Sequence, residues 1–116
     1  MENEKVYAMK FASVYPLLIA KAERKGRTRE EVDAAASWLT GYTPDEIEAL
    51  LEGDISYGDF FRRAPHMNEK RGLVGGSVCG VRVESIDEPL MRDIRRLDKL
   101  VDELAKGRPL EKVLRE

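Results

Sequence analysis

Residues 80–107, GVRVESIDEPLMRDIRRLDKLVDELAKG, constrain the fold of this chain more than any other stretch. Leu90, Ile94, Leu97, Val101 and Leu104 recur at steps of four, three, four and three, which keeps one apolar stripe facing a partner helix. The spacing predicts a helix over 88–106 that packs along this seam, either inside its own domain or against a second copy. Asp87 is its expected cap and Gly107 its end, and Pro109 opens a last short helix carrying Leu110, Val113 and Leu114.

Start and stop signals divide the first half of the chain in the same way. Ser13 is placed to cap a helix with Pro16 in its first turn, where a missing N–H does no harm, and Gly26 ends it. Thr28-Arg-Glu-Glu31 has capping-box spacing, with the threonine hydroxyl meeting a free amide and the glutamate reaching back to the cap. Val32, Ala35, Ala36 and Leu39 follow on one face before Gly41. Thr43-Pro-Asp-Glu46 repeats the box, and Ile47, Leu50 and Leu51 give that helix its buried edge. A shorter helix starts at Ser56, turns Tyr57, Phe60 and Phe61 inward and stops before Pro65.

Four glycines at 72, 75, 76 and 80 argue against a stable helix in the middle of the chain. Val81 and Val83 alternate with Arg82 and Glu84, so a short strand or extended segment is expected over 78–85. A lone strand needs a partner, and Val6 to Phe11, with Tyr7, Met9 and Phe11 on one face, is the candidate. The fold class expected is mainly α: one domain over 1–116, a bundle of four to six helices with at most a short β hairpin or extended arm.

Charge limits the functional classes. Twenty basic and 22 acidic residues leave a net charge of −2, whereas nucleic-acid binding draws its affinity from a concentrated basic face. The helix pair over 28–52 has a helix-turn-helix outline, but its second helix carries Asp45, Glu46, Glu48 and Glu52 where phosphate would lie. The clusters Arg24, Lys25, Arg27, Arg29 and Arg92, Arg95, Arg96 read as solvated faces, and a nucleic-acid partner is not expected. No apolar run approaches the ~20 residues that span a bilayer, and the acidic start MENEKVYAMK is unlike a secretory signal. Together with a single cysteine, this points to a cytoplasmic protein.

The strings FASVYPLLIAKAERKGRT (11–28), WLTGYT (38–43) and VCGVRVESIDEPLMRDIRRLDKLVDELAKG (78–107) resemble a bacterial family of uncharacterised proteins, domain of unknown function 2200. The likeness runs over nearly the whole chain in long strings. It departs from the family pattern near Ala35 or Ala36, where a bulkier apolar residue is usual, and near Arg96, where an aromatic is frequent. The resemblance implies kinship and brings no catalytic residue, cofactor or ligand to any position.

Among chemistry-bearing groups, Gly75-Gly76-Ser77-Val78-Cys79-Gly80 lacks the Gly-Lys-Ser/Thr ending of a phosphate loop and the helix start that should follow. Its amides, with Arg71 and Arg82, form a candidate anion nest comprising Arg71, Gly75, Gly76, Cys79 and Arg82. Trp38, Tyr42, Phe60 and Phe61 read as core, with the hydroxyls of Tyr15 and Tyr42 at the surface. One histidine and one cysteine are too few for a metal site, and no cofactor motif is present.

These observations favour a small interaction module over an enzyme, self-associating as a homo-oligomer through Leu90, Ile94, Leu97, Val101 and Leu104. The alternative is a small-molecule or anion-binding protein, or an enzyme, that uses 72–82; a nucleic-acid regulator ranks third. Cys79 separates the classes. As a buried apolar residue it should label slowly in the folded protein and quickly after denaturation. Rapid labelling below about pH 7 that slows in His66→Ala would instead make it an activated nucleophile.

Overall fold

The computed structural model describes residues 2–78 and 80–115. Seven α-helices occur among them: α1 (Glu2–Ala8), α2 (Phe11–Glu23), α3 (Arg29–Thr40), α4 (Pro44–Leu51), α5 (Tyr57–Arg62), α6 (Pro89–Ala105) and α7 (Leu110–Val113). Between α5 and α6 lie a 3-10 helix at Glu69–Leu73, the strands β1 (Ser77–Val78) and β2 (Val81–Arg82), and a 3-10 turn at Val83–Ser85. The protein is therefore mainly α with one short antiparallel hairpin, as its sequence leads one to expect.

The long helix organises the rest. α6 packs against α2, α3, α5, α7, β1 and the 83–85 turn. Ile94, Leu97, Val101 and Leu104 are at most 1% exposed, with Met91 and Leu100 buried beside them and Leu90 half-buried. The seam is thus consumed by the protein's own helices. Truncating one of these leucines to alanine removes the transfer free energy and leaves a cavity, a loss of about 2–5 kcal/mol. At the other end of the core, the Phe11 and Phe60 rings stack at 4.1 Å and Tyr42 stacks on Phe60 at 4.7 Å.

Local signals act where their chemistry requires. Thr28 and Thr43 both close capping boxes, with Glu31 and Glu46 reaching back to the cap amides. Pro44 occupies the first turn of α4, and Ser56 caps α5 by accepting the Asp59 amide. Gly41 ends α3 at φ +84°, and a Cβ there would lie 2.9 Å from the His66 backbone, so this turn requires glycine twice over.

Five local expectations need correction. Residues 2–8 form a helix rather than a strand, because Val6 and Tyr7 pack on the core and Gly58 of α5 lets Tyr7 approach closely. The extended pairing survives only at Lys10–Ser56, where Tyr57 N–H donates to Met9 and Phe11 N–H to Ile55. Those bonds start α2 at Phe11, with Lys10 rather than Ser13 at the cap, and so place Pro16 inside the helix. The strand expected over 78–85 folds back on itself, pairing Ser77 with Arg82 and Val78 with Val81, and Val83 turns inward while Val81 stays exposed. Asp87 does not cap α6: Glu88 holds that position without a side-chain cap bond, and the Asp87 carbonyl accepts from Arg92. The hydroxyls of Tyr15 and Tyr42 are buried, donating to Asp33 at 2.6 Å and to the Phe60 carbonyl at 2.8 Å.

One clip joins distant parts of the chain. Arg27 donates to the carbonyls of Leu104 at 2.9 Å and Arg108 at 2.7 Å, and holds Glu31 through two further bonds. The bonds from Arg27, reinforced by the Thr28 amide, outweigh partial burial and hold the Glu31 carboxyl down at about 2. A carboxylate with a depressed folded value stabilises the fold above its ordinary value of 4.5, and the contribution disappears as pH falls towards 2. Urea denaturation across that window should therefore show stability falling with acidification. Glu31→Gln should be less stable by about 1–3 kcal/mol at pH 7, with a visibly flatter acid limb. An unchanged acid limb would remove Glu31 as its source.

Candidate anion-binding site

Around Gly75 and Gly76, where an anion nest is expected, the chain places a carboxylate of its own. The Glu84 carboxylate accepts the Gly76 amide at 3.0 Å, and a Cβ on Gly75 would lie 2.5 Å from the same carboxylate. Bonds from backbone amides, of Glu84 itself and of Gly76, hold the Glu84 carboxyl below its usual range. Arg82 is exposed and only loosely paired with Glu84 at 3.9 Å. Cys79 lies outside the described residues. Of the expected set, Gly75, Gly76 and Arg82 therefore serve an internal acid, and Arg71 alone is directed elsewhere.

Arg71 joins a cavity of about 280 Å³ between the 69–73 helix and the first turns of α6. Its lining is Glu69, Arg71 and Gly72 on one side and Pro89, Arg92, Asp93 and Arg96 on the other. The helical steps from 89 to 92, 93 and 96 place these four on one face of α6, flanking the buried seam. Three guanidinium groups line it: Arg71, a candidate anion contact by sequence, and Arg92 and Arg96, which by sequence read as a solvated face. Arg92 is half-buried and the Arg96 side chain only 13% exposed.

Asp93 orients two of them. Arg71 Nε at 3.1 Å and Arg96 Nη1 at 2.7 Å both donate to its Oδ1. Arg71 is further fixed by Nη1 donating to the Asn68 carbonyl at 2.9 Å. Arg92 is held from behind by the carbonyls of Ile86 and Asp87. Arg96 Nε is buried and has no hydrogen-bond partner. A charged donor left in that state costs free energy. The start of α6 adds its positive dipole end, with no acidic residue in the first turn.

The lining carries two carboxylates and three guanidinium groups and no hydroxyl, thiol or imidazole group. Among the described residues no group of three His, Cys, Asp or Glu side chains is placed to hold a metal ion. His66 is exposed at the turn after α5, with its amide bonded to Thr40. A second charged cluster is structural in character: Asp98, paired with Arg95 at 2.9 Å, has its carboxyl raised by burial, which outweighs that arginine. Burial and the nearby Asp98 charge likewise raise the buried Tyr57 phenol.

The chain belongs to a recognised group of bacterial proteins. The chain is a member of the family described as uncharacterized protein conserved in bacteria (DUF2200), whose model matches residues 5–115. Among solved structures it is similar to the uncharacterized protein SP1917, at 56% identity and a TM-score of 0.92. That match covers 96% of this chain and 91% of the other. No curated protein matches the sequence.

Proposed function

We propose that this protein binds a small anion in the cavity between the 69–73 helix and α6. The carrying observation is that Arg96, whose buried Nε lacks an acceptor, lines this cavity together with Arg71 and Arg92. Guanidinium forks suit carboxylate and phosphoryl oxygens better than any other side chain. This reading keeps Arg71 from the segment first suspected and replaces the glycine-rich nest with α6.

Titration with sodium acetate and with inorganic phosphate tests it, following the arginine Nε–H signals by NMR. The Arg96 signal should move in a saturable way, and Arg71→Gln or Arg92→Gln should weaken binding about tenfold or more, the value of one charge-assisted bond. Signals that stay in place through the millimolar range for every carboxylate and phosphate ligand tested would exclude the site.

A second reading, self-association, has its own observation. Helix α2 is apolar around most of its circumference, yet Leu17 is 68% exposed and Val14, Leu18 and Ile19 are half-buried. Helices apolar on all sides are ordinarily covered. A homo-oligomer formed through this face, in place of the buried 88–106 seam, would cover it. Light scattering at tens of micromolar should then give twice the chain mass, returning to one chain mass in Leu17→Asp. A wild-type monomer excludes it. No helix among the described residues is long and apolar enough to cross a membrane. The single cysteine, too few for an internal disulfide, supports a cytoplasmic setting for either role.

A further inference from the structure

We propose that the ligand of the arginine cavity is a small zwitterion of the free α-amino acid type, its carboxylate on the guanidinium groups and its ammonium on Glu69. This rests on the anion-binding reading and narrows it.

The cavity carries both signs of charge. Arg71, Arg92 and Arg96 face Asp93 and Glu69, a balance of three positive groups to two negative ones. Asp93 already receives Arg71 and Arg96 on one oxygen. Glu69 is exposed and makes no hydrogen bond or ion pair with the described residues. A free carboxylate on the wall of a site built for anions repels any ligand that is only negative. An inorganic dianion meets that repulsion in full, whereas a ligand with an ammonium beside its carboxylate turns it into attraction.

Size and polarity agree. About 280 Å³ falls just under the range of pockets for drug-sized ligands, too small for a nucleotide and sufficient for a free amino acid. Gly72 and Pro89 are the uncharged walls, and a Cβ on Gly72 would meet nothing within 4 Å, so the cavity offers little apolar grip. Recognition must therefore come from charge placed at two points.

The test compares ligands that differ only in the ammonium. The common L-α-amino acids and their N-acetyl derivatives are titrated into the full chain by calorimetry and by NMR of the Arg96 side chain, with inorganic phosphate as a third arm. At least one amino acid should bind about tenfold tighter than its N-acetyl derivative. Glu69→Gln, a change at an exposed side chain that should leave the fold intact, should bring that pair to within about threefold and leave phosphate binding equal or tighter. If phosphate or N-acetyl amino acids bind at Arg96 and no free amino acid exceeds its derivative, the zwitterion is excluded while the anion site stands. Discrimination unchanged in Glu69→Gln also overturns the proposal. If none of the three classes shifts Arg96, both readings fall together.

Discussion

Burial of α6 on nearly every side is the constraint from which the other features follow. A helix in the middle of a small protein must hide its polar face as well as its seam, and α6 is rich in charge. The solution is a belt of ion pairs: Asp93 with Arg71 and Arg96, Asp98 with Arg95, Asp102 with Lys21 and Lys106, Glu103 with Arg108 and Arg115. Each pair contributes little by itself where water reaches it, yet removing one partner from the more buried pairs leaves a charge without compensation. Glu103, only 6% exposed, illustrates the point, since Arg115 grips both of its oxygens and ties the end of the chain to the core.

At the candidate site this belt is incomplete. Two of the three arginines share Asp93, while Arg92 is met by backbone carbonyls and Arg96 Nε has no acceptor among the described residues. The same need to cover a charged helix therefore produces both the structural pairs and the recess beside the 69–73 helix. The hairpin region resolves the opposite problem, surplus amide donors, by turning Glu84 back onto Gly76. A ligand seeking the glycine amides would have to displace a carboxylate already in place.

Much of this was legible in the sequence because it is local. Capping boxes at Thr28 and Thr43, the stop at Gly41 and the seam from Leu90 to Leu104 depend on residues within a few turns of one another, and the structure realises each. What was illegible depends on distant partners. The seam's spacing could not say whether its partner was α2 and α3 or a second copy. Nor could alternation at 6–11 reveal that Gly58 admits Tyr7 and favours a helix there. The arginines at 92 and 96 resembled a solvated face because Arg71, more than twenty residues earlier, gives no local sign that it will share Asp93. One signal was present: Asp93 and Asp98 interleave with the arginines at pairing distance along a helix.

The clip formed by Arg27 has a consequence for the order in which the protein can assemble. Its acceptors at Leu104 and Arg108 lie 77 and 81 residues further along the chain, and Tyr7 reaches Glu88 across a similar interval. Helical bundles commonly fold fast because their contacts are near in sequence, but here the first helices dock on the last long one. As the chain leaves the ribosome, α2 and α3 emerge with their apolar faces bare, and α6 follows only after α4, α5 and the hairpin region have been made. The core thus closes late, and until then the half-made protein exposes the surfaces that chaperones recognise and that aggregate most readily.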